Sequence, residues 1–411
     1  MRLVSPVCKA VKSPWWHAPV ALPVRFPTLS PHTPPLPLDT LDTLIIGAGV
    51  IGLACAATLA RAGRDVLIVE AEDRFGSATS ARNSEVMHAG LYYPTGSLRA
   101  RLCVRGHALL QHFCDAHGVP HRRCGKLVVA QSDAETERLR QLLAQGHANG
   151  VTDLRWLDGP HACALEPALR CQAALLSPST GILDSHALML ALLAQAENHG
   201  ATLVLRTPVE GGHVQPAGDW IVRLGGAMPC AVRARHIVNA AGLHACQVAR
   251  VLGVDAAHVP TAFYAQGAYF SLSGRAPFSH LIYPVPGQSS HLGVHLTLDL
   301  AGQARFGPSF RWVDQIDYSI DPQDGAHFET AVRQYWPDLP SDRLQPAYAG
   351  VRPKISGPGE PTTDFRIDGP DQHGQPGLVN LLGIESPGLT SCLAIAEYVA
   401  GLLVGAASGA G

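Results

Sequence analysis

TLIIGAGVIGLACAATLARAGRDVLIVE, from Thr43 to Glu70, is the stretch on which the fold turns. Leu44, Ile45 and Ile46 form an apolar run too short for a helix and rich in β-branched residues. Gly47, Gly49 and Gly52 follow as G-x-G-x-x-G, and Val50 opens an alanine-rich helical pattern that stops at Gly63. A second apolar run, Val66 to Val69, ends on an acid, Glu70. Strand, glycine turn, helix, strand and acid, in that order, are the setting in which this glycine triple binds a dinucleotide. The glycines let the turn bend and let backbone approach a pyrophosphate, whose charge the helix N-terminal amides then face. Glu70 would accept hydrogen bonds from a ribose and would repel the 2′-phosphate of NADP. The expected class is α/β with a Rossmann-type unit, α+β over the whole chain.

Outward from this unit, 411 residues allow two or three domains around a large core. A formal charge of −2 with no basic stripe speaks against nucleic acid as a partner. No apolar run approaches the roughly 20 residues of a membrane span, so no integral membrane segment is expected; peripheral association is compatible. Ten scattered cysteines without a disulfide-like rhythm fit a reducing compartment. The expected location is therefore cytoplasmic, with attachment to the periphery of the inner membrane as the alternative. The first 38 residues contain no Asp or Glu and are broken throughout by proline. Residues 1–40 read as a disordered or mis-started leader, and 406–411 (AASGAG) as a frayed tail.

Past Glu70, small and hydroxylated residues (Ser77, Thr79, Ser80, Ser84) suit a close approach to phosphate or a cofactor ring. A helix is predicted from Leu98 to His117. Cys114, His117, His121 and Cys124 make C-x2-H-x3-H-x2-C, but structural zinc pairs are usually separated by a longer loop, so no metal is expected. Cys124–Ala130 reads as a strand, Ala134–Gly150 as a solvated helix, and Arg235–Gly242 as a buried strand entering a small-residue loop. Strand-like runs from Thr261 to Arg311 predict an antiparallel β-rich section. GLVNLLGIESPGLTSCLAIAEYVAGLLV reads as strand, glycine-proline turn and helix.

The nucleotide unit, RNSEVMHAGLYYPTGSLRARLCVRG, PSTGILDSHAL, VNAAGLHA, GVHLTLDLAGQARFGP, YAGVRPK and LLGIESPGLTS occur in an order that resembles the D-amino-acid-oxidase-like FAD oxidoreductases. Within that family the chain is most similar to the L-2-hydroxyglutarate dehydrogenase/oxidase branch, from Leu41 to about Val404. The resemblance implies an FAD domain assembled from 41–125, 176–258 and 346–405. A substrate domain from 126–175 and 259–345 would be inserted in it. It implies non-covalent FAD bound by Gly47, Gly49, Val50, Gly52, Glu70, Ala71, Ser80, Asn83, Ser84, Val209, Ala241, Gly242, Gly383, Gly388, Leu389 and Thr390. Val209 would lie near the adenine. One departure stands out: Gln266 and Ala268 occupy positions where the branch leads one to expect a basic and a polar or acidic residue.

Oxidation of a 2-hydroxy acid moves hydride from Cα to the flavin while a base takes the hydroxyl proton. It calls for a carboxylate clamp, a base and donors for the charge arriving on the flavin. Arg352 is the expected clamp, since a guanidinium matches a carboxylate bidentately. His88 is the first candidate base and His295 the second; the backbone amides of Gly388, Leu389 and Thr390 are the donors. Tyr93, Tyr269, Gln266 and Lys354 complete the expected substrate set. A small L-2-hydroxy dicarboxylate, L-2-hydroxyglutarate first, needs a second cation, with Lys354, Arg82 and Arg305 as candidates. If it instead relied on position 266, Gln266 could not neutralise it, and a shorter or monocarboxylic acid would be preferred. Electrons would pass on to a quinone, an electron-transfer protein or O2. An FAD amine or amino-acid oxidase of the same fold and a non-catalytic flavin-binding protein are the alternatives.

Overall fold

In the computed structural model, residues 40–286 and 293–408 are described. The expected leader falls outside them except for Thr40, which already opens a strand, Thr40–Ile46. The expected fraying does not begin at Ala406: the last helix runs from Gly388 to Ser408, and alanine favours its continuation. Residues 409–411 fall outside the description.

The opening unit is built as its pattern requires. Strand Thr40–Ile46 leads through Gly47, at φ +102°, into helix Val50–Arg61, and Val66–Val69 pairs parallel to the first strand with Ile45 opposite Ile68. Cys230–Asn239 lies parallel on the other side, Ile45 facing Val238. This ten-residue strand forks the sheet. Its first half pairs antiparallel with Trp220–Leu224, and its end pairs parallel with Leu378–Leu382. Eight strands result, with Thr202–Val204, Val209–Val214 and Arg366–Asp368 completing the edges.

Helices Val50–Arg61, Leu98–His117, Ser185–Asn198 and Gly388–Ser408 contribute to one core, where Leu53, Leu110, Leu192 and Ile395 are fully buried. The second of these runs as predicted. Ser97 caps it by accepting from the Ala100 amide (3.1 Å), and Gly118 at φ +66° ends it. A separate core containing Trp220, Ile237 and Ala249 involves the helix Ala245–Val251.

A second sheet has nine strands. Phe263–Leu272 and Leu344–Lys354 form its long antiparallel pair, Ala265 opposite Arg352. Residues 346–354 therefore belong to this sheet. Within the section from Thr261 to Arg311 the strands pair antiparallel, as expected; the sheet's parallel pair joins Leu281–Pro284 to Lys126–Ala130, from outside that section. No tight turn joins these strands, which come from distant parts of the chain, so nothing imposes antiparallel order on them. Three short strands, Val86–Met87, His121–Arg122 and Gly181–Leu183, make a third sheet. Among the described residues no helix is long and apolar enough to cross a membrane.

Candidate active site

One cavity of about 940 Å³ runs from the glycine turn to the nine-stranded sheet. At the turn end, Gly47, Gly49 and Val50 line it with Glu70, Ala71, Val209, Ala241 and Gly242. Gly52 does not line it; a Cβ there would strike the Gly47 carbonyl oxygen, so this glycine lets the helix seat against the turn. A Cβ on Gly49 would come 3.0 Å from Ser80 Oγ. The helix N-cap, Gly49, has no capping side chain, and its first turn carries no acid. Ser80 Oγ accepts from the Val50 amide (3.0 Å), while Glu70 accepts from the amides of Ala48 (2.8 Å) and Glu72 (3.0 Å). Asn83 is held by its own loop, donating to the Ser80 carbonyl (2.7 Å) and accepting from the Glu85 amide (2.8 Å).

Farther along, His88, Tyr92, Tyr93, Tyr269, Tyr283, His295, Arg352 and Lys354 line the same cavity. Strand parity explains part of this arrangement. On Phe263–Leu272, Gly267 and Tyr269 face the cavity, so Gln266 points the other way. Gln266 is buried there, donating to the carbonyls of Asp317 (2.7 Å) and Ser319 (3.0 Å) and accepting from Arg311. The expected contact between Gln266 and substrate is absent from this arrangement.

Arg352 and Lys354 do share the cavity face, as alternate residues of an extended strand. Lys354, however, is paired with Glu385 (2.7 Å), which also holds Arg99 (3.0 Å), and all three are nearly buried. Burial pushes the Glu385 carboxyl up, but Arg99, Lys354 and Arg352 outweigh it and keep it below the usual carboxylate range. Arg352 makes no ion pair among the described residues and lies over the Phe310 ring at 5.7 Å. Three cations thus face one carboxylate, an excess of two positive charges. The remaining candidate cations are engaged elsewhere: Arg82 lies over Tyr318, and Arg305 bridges Glu85 and Asp299.

His295 is buried and His88 is half-buried. Burial first, then the charges of Lys126 and His107, lower the His88 pKa to about 3; burial and Lys126 likewise push His295 well down. Both imidazoles are therefore neutral at pH 7 and able to accept a proton. His295 stacks on Tyr283, with centroids 3.6 Å apart. Gly388 and Leu389 line the cavity, whereas Thr390 and Gly383 do not. Thr390 instead accepts from the His88 amide (3.0 Å) and so fixes that residue's backbone. The Gly388 amide is spent on the Glu385 carbonyl (2.6 Å), so of the three expected donors the Leu389 amide is the one left on the cavity wall.

The metal-like quartet is occupied otherwise. His117 Nδ1 meets the Phe113 carbonyl and His121 Nδ1 the Val119 carbonyl, while Cys114 is buried in the core. Among the described residues no group of three or more such side chains could hold a metal.

Lys126, Glu385, Arg99, Tyr92 and Tyr283 were not foreseen as site residues. Lys126 left a signal, a lone charge inside the apolar strand KLVVA, and Glu385 sits within the quoted GIESPGLT.

The family model for FAD dependent oxidoreductases matches residues 42–402. The chain belongs to that family. L-2-hydroxyglutarate dehydrogenase, mitochondrial, from Arabidopsis thaliana is 43% identical over 402 aligned residues, 88% of this chain and 83% of the relative. L-2-hydroxyglutarate dehydrogenase of Escherichia coli is 28% identical, over 87% of this chain and 92% of that one. Among solved structures, the dithionite-reduced L-α-glycerophosphate oxidase of Mycoplasma pneumoniae, with FAD bound, superposes with a TM-score of 0.81. Its identity is 25%, covering 89% of this chain and 95% of that chain. As an FAD-dependent oxidoreductase, this protein has residues that suit the cofactor. The uncapped helix, the glycine turn whose Cβ positions are closed off, and the carboxylate of Glu70 lie along one cavity.

Proposed function

We propose that this oxidoreductase oxidises a small L-2-hydroxy dicarboxylate to the 2-oxo acid, with L-2-hydroxyglutarate the leading substrate. The observation that carries the reading is the charge of the cavity wall. Arg99, Arg352 and Lys354 against Glu385 leave two positive charges in a nearly buried place, which match a dianion. Removing that charge from water costs several kcal/mol per ion unless it is paired. The names of the relatives from Arabidopsis thaliana and Escherichia coli support the same substrate.

In this reading, FAD supplies the two-electron acceptor for the Cα hydride. It is held non-covalently, with Gly47, Gly49 and the first turn of Val50–Arg61 around the pyrophosphate and Glu70 on the ribose. Ala71, Ser80, Asn83, Ser84, Val209, Ala241 and Gly242 line the rest of the cofactor, and the sheet containing Tyr269 and Arg352 faces the substrate. The domain division follows the same lines, except that the third cofactor-side segment resumes after Lys354. Arg352 takes the carboxylate next to the reacting carbon. The second carboxylate lies near Lys354 and Arg99, which Glu385 only half neutralises. Neutral His88 accepts the hydroxyl proton, with His295 as the alternative base. The electron acceptor is a quinone, an electron-transfer protein or O2, reached from the cytoplasm or from a peripheral position on the inner membrane.

Anaerobic flavin bleaching by L-2-hydroxyglutarate, L-malate, L-lactate and the corresponding L-amino acids tests the reading. The dicarboxylates are expected to reduce the flavin with the highest kcat/KM. Arg352→Ala should lower kcat/KM by about 2–5 kcal/mol in transition-state terms, with Arg352→Lys restoring only part. Reduction by amines alone would overturn the substrate, and an unchanged Arg352→Ala would remove the clamp.

A further inference from the structure

Lys126 lies on the strand Lys126–Ala130, between Leu281–Pro284 and Ala173–Ser177 within the nine-stranded sheet, and is completely buried. Lysine is almost never fully buried without a partner. Here, among the described residues, Nζ has no hydrogen-bond partner and packs over the rings of Tyr92 (4.5 Å) and Tyr283 (5.0 Å). Three further buried polar atoms without a partner belong to cavity-lining residues of the same neighbourhood: His88 Nδ1, Tyr92 Oη and His295 Nε2. Buried polar groups are usually satisfied, so such a cluster marks a place where function outweighs stability.

The groups facing Lys126 come from several elements. His88 and Tyr92 follow Val86–Met87, Cys103 lies on the helix Leu98–His117, Tyr283 on Leu281–Pro284, and His295 just before Leu296–Leu298. His107, Tyr93, Tyr269 and Arg352 lie beyond them. None of these groups is a carboxylate. With no anion beside it among the described residues, the ammonium form is disfavoured by burial, which brings the Lys126 pKa down to about 7 against the opposing effect of Cys103. The histidines can take a proton but, with their pKa values pushed down, cannot keep one at neutral pH.

We infer that Lys126 is a positioning residue of the reaction: its neutral amine receives, through His88 or His295, the proton that the substrate hydroxyl loses, and holds it until product leaves. The inference rests on the 2-hydroxy-acid reading above. The balance is complete. The Cα–H bond breaks and its electron pair goes with the hydrogen to FAD. The O–H bond breaks, the C=O bond forms, and the released proton first makes an N–H bond on the imidazole. A side-chain rotation that brings imidazole and Nζ, unpaired in this structure, into hydrogen-bond contact then lets it break that bond and make one on Nζ. The hydroxy acid loses two electrons and FAD gains them.

The chain has four lysines, Lys9, Lys12, Lys126 and Lys354, so a holoenzyme labelled with 13C at lysine Cε gives a readable titration. One signal is expected to titrate at about 7 and to vanish in Lys126→Met. A Lys126 signal that titrates near the ordinary value of about 10.4 would overturn the proposal. In anaerobic single turnovers, the wild-type flavin should be reduced faster as pH rises through that midpoint, because the amine must be neutral to accept. Lys126→Met and Lys126→Arg should both slow reduction by about 10²-fold and lose this limb, with the Kd for the 2-oxo acid little changed. Arginine keeps the charge but stays protonated, so wild-type behaviour in Lys126→Arg would reduce the residue to an electrostatic support and overturn the proposal. An unchanged rate and limb in Lys126→Met would do the same. If no hydroxy acid bleached the wild-type flavin, the substrate reading would fall instead, and the lysine titration would still decide whether Lys126 exchanges a proton near neutrality.

Discussion

Around the glycine turn, polar groups are largely spent within the protein. Glu70 accepts from two amides, Ser80 from the Val50 amide, and Asn83 both gives and accepts within its own loop. Farther along the same cavity, His88 Nδ1, Tyr92 Oη and His295 Nε2, with Lys126 Nζ packed behind Tyr92 and Tyr283, are buried without partners among the described residues, and two excess positive charges accompany them. The first region is a backbone shape fixed before any ligand arrives. The second is a set of side chains still short of partners, which is what a site that must grip a reacting dianion and move a proton requires.

Breaking the first region should be the more drastic. Gly52→Val forces a side chain into the Gly47 carbonyl, so the turn and the start of the helix cannot both keep their places. The purified variant is expected to have lost its visible flavin absorbance, along with much of its thermal stability. Full flavin content would show that the turn tolerates displacement.

In the second region, loss of one side chain should cost rate while FAD stays bound. His88→Ala is expected to slow flavin reduction by about 10²–10⁴-fold. Because the His88 pKa is held down to about 3, its protonation cannot produce an acid limb near neutrality; any such limb must belong to another group. If His295→Ala is the slow variant and His88→Ala is not, the two exchange roles.

The smallest effect sharpens the boundary between site and scaffold. Gln266 faces away from the cavity and satisfies two carbonyls, so Gln266→Ala should cost about 1–3 kcal/mol of stability through the unsatisfied groups left behind. The preference between dicarboxylate and monocarboxylate substrates should stay the same. Circular-dichroism melting and a kcat/KM comparison would check both halves, and a changed preference would put Gln266 back in the site.

This contrast also explains what could be read in advance. Gly47 to Glu70 is contiguous and its function depends on backbone, so spacing alone carried it to the right strands and helix. The Leu98–His117 helix and the Phe263–Leu272 strand were likewise legible from their apolar patterns. Which side of a strand faces the cavity was not: Gln266 and Tyr269 are three positions apart and lie on opposite faces. Nor was pairing legible. Lys354 looked like a free cation until the fold brought it to Glu385, 31 positions along the chain. Lys126 showed only as a lone charge in KLVVA, and nothing local reveals that no carboxylate among the described residues comes near it.

The parallel join between Lys126–Ala130 and Leu281–Pro284 bears on how the molecule is made. The opening unit can pair Thr40–Ile46 with Val66–Val69 while the chain is still emerging, although its other neighbour, Cys230–Asn239, follows later. The buried lysine, by contrast, has no shell until Tyr283 and His295 have been synthesised, and the forked strand Cys230–Asn239 waits longer still for Leu378–Leu382. Pairings this distant in sequence are slow to close, and exposed strand edges in the interim invite aggregation. Cutting the gene anywhere between the two joined strands would therefore give two pieces of which neither carries the reacting centre.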